Sequence, residues 1–374
     1  MTTERTTKIL ITICLAVALL SLVVIGMTGF SVKEDKLKIG VVIPLTGPAS
    51  YIGEEDLNGI LLAKEDLKDK NIEIIVEDGR TNSKDSVTAA NKLVDLDGVK
   101  VVVSSLTGPS AAIAEQLKSK DFVLLYGSTT SYTALEHQNA FLDFPTAKDF
   151  CKVATEKAIL EGDEKIAFVT DLLGGGKECE DGIKQALVGK KADLVLVERF
   201  DLKDPDFKTI LTKVKEKDPD ALVLYTYANM FPNLYKKIVE LDIDTRLVCP
   251  FATSTCTGNQ EATSLALAND LLVDAVGSDF FFDQGEEGSV GMEFVHRYYN
   301  RFKKKPTGFA ANIYEDVMML SKVLENCKGE GTSCITNELY SINYPGITGE
   351  IDFNTQGISK KKIDPINFVN GKWE

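Results

Sequence analysis

Short apolar runs rich in β-branched residues recur along the chain: LKIGVVIPL from Leu37, IEIIVED from Ile72, VKVVVSSL from Val99, DFVLLYG from Asp121, KIAFVTDL from Lys165, DLVLVERF from Asp193, DALVLYTY from Asp220 and TRLVCPF from Thr245. Each is continuously hydrophobic rather than alternating. That pattern predicts strands covered on both faces, which is the situation of a mainly parallel sheet flanked by helices. Segments of helical period lie between the runs. EEDLNGILLAKEDLKDK puts Leu57, Ile60, Leu61 and Leu67 near one face, and SKDSVTAANKLVD and PSAAIAEQLKSK behave likewise. The repeated strand, loop and helix predict an α/β fold.

The rhythm breaks at FLDFPTAKD, where Pro145 interrupts the series before the helical run DFCKVATEKAIL opens a second one. A chain of 374 residues exceeds the usual range of one domain and predicts two, each of roughly 100 to 200 residues. Beyond about Asp274, VGSDFFFDQGEEGS reads as a strand and loop. VGMEFVHRYYNRF and ANIYEDVMMLSKVLENC read as helices, and GITGEIDFNTQG as a hairpin too short to stand alone. In an open parallel sheet, ligands bind in the crevice beyond the carboxyl ends of the strands. The stretch IGVVIPLTGPASYIG, an apolar strand that stops in a Thr-Gly-Pro-Ala-Ser loop, sits at such an end.

The N-terminus breaks the pattern. Residues 9–27, ILITICLAVALLSLVVIGM, carry no charge and predict a segment that enters or crosses a membrane. Arg5 and Lys8 on its short leading side favour that end staying cytoplasmic, so everything after Phe30 is expected in the periplasm or at the cell surface. Residues 1–30 are read as a signal peptide or a transmembrane anchor, the run being long for a signal core and VIGMTGF a poor cleavage site. Cys14 lies too early in the run for acylation.

Export changes the reading of the other six cysteines, because disulfides persist outside the cytoplasm. Cys327 and Cys334 bracket a Gly-rich turn after a helix and are the best disulfide pair. The sequence neighbours Cys151 with Cys179, and Cys249 with Cys256, are further pairings. Zinc is disfavoured, since the chain has only His137 and His296 and no CxxC pair.

The net charge of −14 excludes a nucleic-acid partner, because the phosphate backbone would be repelled. Enzyme chemistry is also poorly provided for. His137 lies in a polar loop and His296 in an amphipathic helix, and no GxSxG or GxGxxG follows a strand. The triple glycine of DLLGGGKE lacks the Lys-Ser/Thr of a phosphate loop. No cofactor is expected. A binding module remains.

KIGVVIPLTGPASYIGEEDLNGILLAKEDL, IEIIVEDGRTNSKDSVTAANKLVD, VKVVVSSLTGPSAAIAEQL, YGSTTS, NIYEDVMML and YPGITGEIDF together resemble the type I periplasmic binding proteins of the leucine/isoleucine/valine-binding class, from about Leu37 to the C-terminus. The resemblance implies two Rossmann-like lobes joined by three crossing strands, closing on a small-molecule ligand that is then delivered to the permease subunits of an ABC transporter. Lobe 1 is expected over 37–146 and 277–328, and lobe 2 over 147–276 and 329–374. The alternative use of the same unit is a ligand-sensing receptor ectodomain with a separate membrane partner.

The resemblance also implies the ligand residues. Thr107 falls where the amino-acid binders hold the carboxylate with a Ser, and Ser128 and Thr130 fall on the second such loop. Ile52, with Tyr51 beside it, stands where an aromatic lids the pocket, and Tyr227 at a strand end where the second lobe supplies a Tyr. Gly175 replaces a further Tyr. The acid that grips the ammonium of an amino acid aligns near Phe251 and Ala252, which carry no charge. Asp171 or Asp279 is the substitute, or else the ligand is a related carboxylate without that ammonium.

Overall fold

A computed structural model describes residues 35–131, 139–172, 174–280 and 288–374. The chain divides into two units, Met1–Lys36 and Leu37–Glu374, and every element below belongs to the second. The apolar run 9–27 lies outside the described residues. Among the described residues no helix is long and apolar enough to cross a membrane.

Strands β1 (Leu37–Ile43), β2 (Ile72–Asp78), β3 (Val101–Ser105), β4 (Val123–Ser128) and β5 (Ala140–Leu142) form a sheet of order β2-β1-β3-β4-β5, parallel throughout. Helices α1 (Ser50–Asp66), α2 (Ser83–Asp95) and α3 (Thr107–Gln116) connect them. Alternate residues of the strands feed different cores, which explains their continuous hydrophobicity. Val102, Leu124 and Tyr126 join one core, whereas Val101, Val103, Val123 and Leu125 join the other.

The second lobe repeats the plan. Helix α4 (Ala147–Leu160) leads into β6 (Lys165–Asp171), α5 (Gly174–Leu187), β7 (Asp193–Phe200), α6 (Phe207–Lys217), β8 (Ala221–Tyr225), α7 (Phe231–Glu240), β9 (Arg246–Pro250), α8 (Gln260–Ala268) and β10 (Val276–Asp279). Beyond β10 come α9 (Val290–Phe302), α10 (Gly308–Asn326), α11 (Thr332–Ser341), the hairpin β11 (Tyr344–Gly346) and β12 (Gly349–Ile351), then β13 (Asp364–Val369) and β14 (Lys372–Trp373). The second sheet has the order β14-β13-β10-β9-β8-β6-β7, with β13 antiparallel to β10.

Two expected boundaries need correction. Strand β10 pairs with β9 and β13, so residues 277–279 belong to the second sheet. Helix α11 and the hairpin belong with the first lobe, because Ile335, Leu339, Ile351 and Phe353 are buried in the same core as Ile39 and Val101. Of the stretch 329–374, it is β13 and β14 that pair into the second sheet.

Among the described residues the chain passes between the lobes in three places: after Leu142, after Asp279 and after Ser359. The first and third run side by side, Leu142 donating its N–H to Gly357 and accepting one from Ser359. Five phenylalanines gather beside them. Phe144 and Phe280 lie next to two crossings, Phe309 is on α10, Phe150 is on α4, and Phe251 follows β9; the Phe150 and Phe251 rings stack at 4.7 Å.

Candidate functional site in the interlobe cleft

The carboxyl ends of β1, β3 and β4 bring three first-lobe loops to the cleft. The opening loop is held by its neighbour: Thr46 donates its hydroxyl to Asp78 at 2.7 Å, and Thr81 donates to the Thr46 carbonyl at 2.8 Å. Gly53 lets α1 sit against this loop, because a Cβ there would lie 2.1 Å from the Pro44 carbonyl oxygen.

Helix α3 begins at Thr107 with no side chain capping it. Its preceding residue, Leu106, has φ 69 and ψ 136, a conformation a branched side chain adopts only when its surroundings enforce it. The Thr129 hydroxyl donates to that of Thr107 at 2.9 Å, and Thr130 follows directly. Thus Thr107 and Thr129 meet at the first turn of a helix, where the macrodipole favours negative charge, with Thr130 next along the chain.

The second lobe meets this face with Tyr225, Asp171, Tyr227 and Gly175. Tyr225 donates its hydroxyl to Thr130 at 3.0 Å, and the Ala228 N–H donates to the Tyr51 hydroxyl at 3.4 Å, so both lobes touch. A Cβ on Gly175 would stand 3.3 Å from the Tyr225 ring and 3.6 Å from Thr130 Oγ1. Gly176 is a packing position, since a Cβ would reach Thr170 Oγ1 at 2.6 Å. Asp171 is 5% exposed and accepts from Thr226 at 2.9 Å. Burial, with Asp171's charge adding to it, pushes the Tyr227 hydroxyl up to about 12 and raises those of Tyr51 and Tyr225 further.

Of the residues expected to line the cleft, Tyr51, Thr107, Thr130 and Tyr227 lie in this arrangement. Ile52 is 4% exposed and packs into the first-lobe core, leaving Tyr51 to reach the opposite lobe. Ser128 is placed otherwise than expected: its hydroxyl donates to Asp56 of α1 at 2.8 Å, beside a second donor, Ser105, at 2.5 Å. Its proton is committed to a buried carboxylate and not to the cleft. Thr129 was not expected there, and only its place between two matched residues in YGSTTS could have signalled it.

Phe251 holds φ 54 inside the phenylalanine cluster, an unusual backbone for a bulky residue. Asp279 is not available as an ammonium acceptor, because it accepts from the Thr253 N–H and hydroxyl and from the Phe280 N–H. The cysteines close as Cys151–Cys179, Cys249–Cys256 and Cys327–Cys334, with Cα separations of 5.2, 5.9 and 5.7 Å. His296 is exposed on α9, and His137 lies outside the described residues.

Comparison with known proteins agrees with this architecture. A leucine-, isoleucine-, valine-, threonine- and alanine-binding protein of Pseudomonas aeruginosa is 22% identical over 352 residues, covering 90% of this chain and 91% of that one. The branched-chain amino acid transporter substrate-binding protein of Streptococcus pneumoniae, solved with isoleucine, superposes with a TM-score of 0.79 at 21% identity over 91% of this chain and 98% of that one. An ABC-transporter solute-binding protein of Rhodopseudomonas palustris, solved with 3,4-dihydroxybenzoic acid, gives a TM-score of 0.79 at 19% identity over 91% and 95%. At these identities the two structures establish the two-lobed fold. The periplasmic binding protein family matches residues 36–370, and the chain belongs to that family.

Proposed function

We propose that this protein captures a small carboxylate-bearing solute between its lobes, outside the cytoplasm, and delivers it without turnover to the permease subunits of an ABC transporter. The observation that carries this reading is the Thr107–Thr129 pair at the uncapped start of α3 with Thr130 beside it in the chain, Thr130 accepting from Tyr225 of the opposite lobe at 3.0 Å. Hydroxyls and helix amides together are a carboxylate's donors. Lobe closure adds Tyr225 and Tyr227 of the second lobe to whatever those donors and Tyr51 hold, and a ligand that gains both sets of contacts shifts the population toward the closed form. The ligands named for the two solved neighbours, isoleucine and 3,4-dihydroxybenzoic acid, both carry a carboxylate. Residues 9–27 would hold the unit at the membrane or direct its export.

A thermal-shift screen of the soluble portion against amino acids and benzoates tests the reading, because a ligand specific for the native state raises the melting temperature. For a carboxylate that binds, Thr107→Ala and Thr130→Ala are each expected to weaken affinity about ten- to a hundredfold, the usual effect of losing a hydrogen bond to a charged group. Unchanged affinity in both variants would remove the threonines from the site. Recovery of a chemically altered ligand would overturn binding without turnover.

A further inference from the structure

We propose that Glu178 is a proton-linked latch of lobe closure: shutting the cleft buries its carboxyl against Ser131 of the first lobe in the un-ionised form, so solute capture is coupled to proton uptake. The inference rests on the lobe closure of the reading above and not on which solute the cleft holds.

The loop after β4 ties the two lobes together. Thr129 bonds within its own lobe to Thr107, but the next two residues reach across. Thr130 accepts from the Tyr225 hydroxyl at 3.0 Å and, through its carbonyl, from the Ala147 N–H at the start of α4 at 2.7 Å. Ser131 donates its hydroxyl to Oε1 of Glu178, in the second turn of α5. Helices α3 and α5 also touch across the cleft. Glu178 rides on a fixed support, since its neighbour Cys179 is bonded to Cys151 of α4. Ser131 and Glu178 belong to opposite lobes, so opening the cleft parts them.

Closure leaves Glu178 in surroundings that oppose a charge. Both residues are buried, and the second carboxyl oxygen of Glu178, Oε2, is shut away from solvent with no hydrogen-bond partner among the described residues. A buried carboxylate with an unmatched oxygen is costly, whereas a neutral carboxyl costs far less. The charged groups that act on it are mixed: Asp149 of α4 and Asp181 of α5 oppose ionisation, and Lys148 of α4 favours it. Of the other elements packed on α5, β7 brings Arg199, which is paired with Glu180, β6 ends in Asp171, and α3 carries no charge before Glu115. Burial is the largest influence, and together with the two acids it pushes the Glu178 carboxyl up to about 7, against Ser131 and Lys148. In the open cleft water reaches the carboxyl, which then titrates near its ordinary value of about 4.3. Between these values the closed form holds more protons than the open one. Closure therefore strengthens as pH falls from about 7 to about 4.3, and is indifferent to pH above about 7.

Small-angle X-ray scattering of the wild-type protein, first without solute, measures the balance of open and closed forms at about pH 7.5 and about pH 5. The closed-to-open ratio is expected to rise about ten- to fiftyfold on acidification. Glu178→Gln carries a neutral group of the same shape and is expected to hold the ratio of the acidic wild type at both pH values. Should that variant fail to fold, Ser131→Ala decides, its ratio at about pH 5 being expected to fall about three- to tenfold. A wild-type ratio that does not change with pH, a pH response that survives in folded Glu178→Gln, or unaltered closure in Ser131→Ala overturns the latch. The common L-amino acids, benzoate and 4-hydroxybenzoate are then added, and the affinity of any that binds is expected to rise with acid by the same factor as closure. Binding with closure indifferent to pH leaves the solute reading standing and removes the latch. Closure that follows Glu178 while none of these acids binds leaves the latch standing and removes the carboxylate reading.

Discussion

Asp56 shows how a single buried carboxyl organises the loops of the cleft. It sits on α1 with no exposure and accepts from Ser105 at 2.5 Å and Ser128 at 2.8 Å, tying the ends of β3 and β4 to the helix. Burial pushes its pKa up to about 7, against the opposing effect of the two hydroxyls. In the unfolded chain the same group titrates near its ordinary value of about 4. Between these two values the folded state holds more protons, so Asp56 lowers stability as pH rises from about 4 to about 7 and adds no further dependence above that. Asp56→Asn is expected to flatten the decline in melting temperature across this window. An unchanged pH profile in the variant would show that Asp56 is ionised throughout. The same neighbourhood explains what could be read from the residues and what could not. Thr107 and Thr130 follow strand ends, as the resemblance implied for its ligand loops. Ser128 is not legible in this way, because the β3–β4 register shifts between Ser104 and Ser105, bringing Ser105 opposite Ser128. A one-residue slip reverses the direction of a side chain, and nothing in YGSTTS announces it.

At the scale of elements, the strands were legible almost run for run, since continuous hydrophobicity leaves few alternatives. Helix starts were legible where a capping residue stands: Asn82, Thr146, Asp206, Asn259 and Ser289 each accept an N–H from the first turn of their helices. Helix α1 begins at Ser50, ahead of the acid-rich run from which it was read, because its N-cap position is Ala49, with no capping side chain to mark it. The disulfides divide similarly. Cys249–Cys256 and Cys327–Cys334 each span a separation of 7 residues, whereas Cys151–Cys179 joins α4 to α5 across 28 and depends on the packing of those helices. Longer closed loops restrict the unfolded chain more. Replacing Cys151 and Cys179 together by alanine is therefore expected to cost about 3 to 4 kcal/mol, and the same change at Cys249 and Cys256 about 2 kcal/mol. Urea denaturation of the two double variants gives both numbers. A larger loss at the short loop would mean that the packing of the buried Cys249 and Cys256, not loop closure, governs these bonds.

For the whole molecule, the two-lobe plan was legible from the break at Pro145, but the return of the chain was not. The stretch from 329 onward has no long apolar strand to betray its sheet, and it packs on the first lobe through isolated residues such as Ile335 and Phe353 before crossing. That last crossing carries Lys361, whose side chain is wholly buried. It pairs with Asp143 of the first crossing at 2.9 Å and with Glu315 of α10 at 2.6 Å, and it donates to Thr348 at 2.9 Å. Asp316 lies in the same cluster, held by Asn312, which also donates to the Gly127 carbonyl beneath the cleft loop. Three acids thus share one cation where two crossings meet. Burial raises the pKa of Glu315, which Lys361 offsets in part, and raises that of Asp316 well above the carboxylate range. Burial works to lower the pKa of Lys361, but Asp143 and Glu315 outweigh it and hold the amine charged. Lys361→Met would leave the carboxyls without a counter-ion, and losing one partner of a buried pair costs about 3 to 5 kcal/mol. The loss is expected to be largest near neutral pH. In the variant the acids can escape the cost by taking up protons, so its deficit against the wild type should shrink as pH falls from about 7.5 to about 5. Urea denaturation at both pH values measures this difference directly. A deficit that stays constant with pH would mean that Lys361 acts through packing, whereas a shrinking one identifies the cluster as an electrostatic brace between two of the crossings.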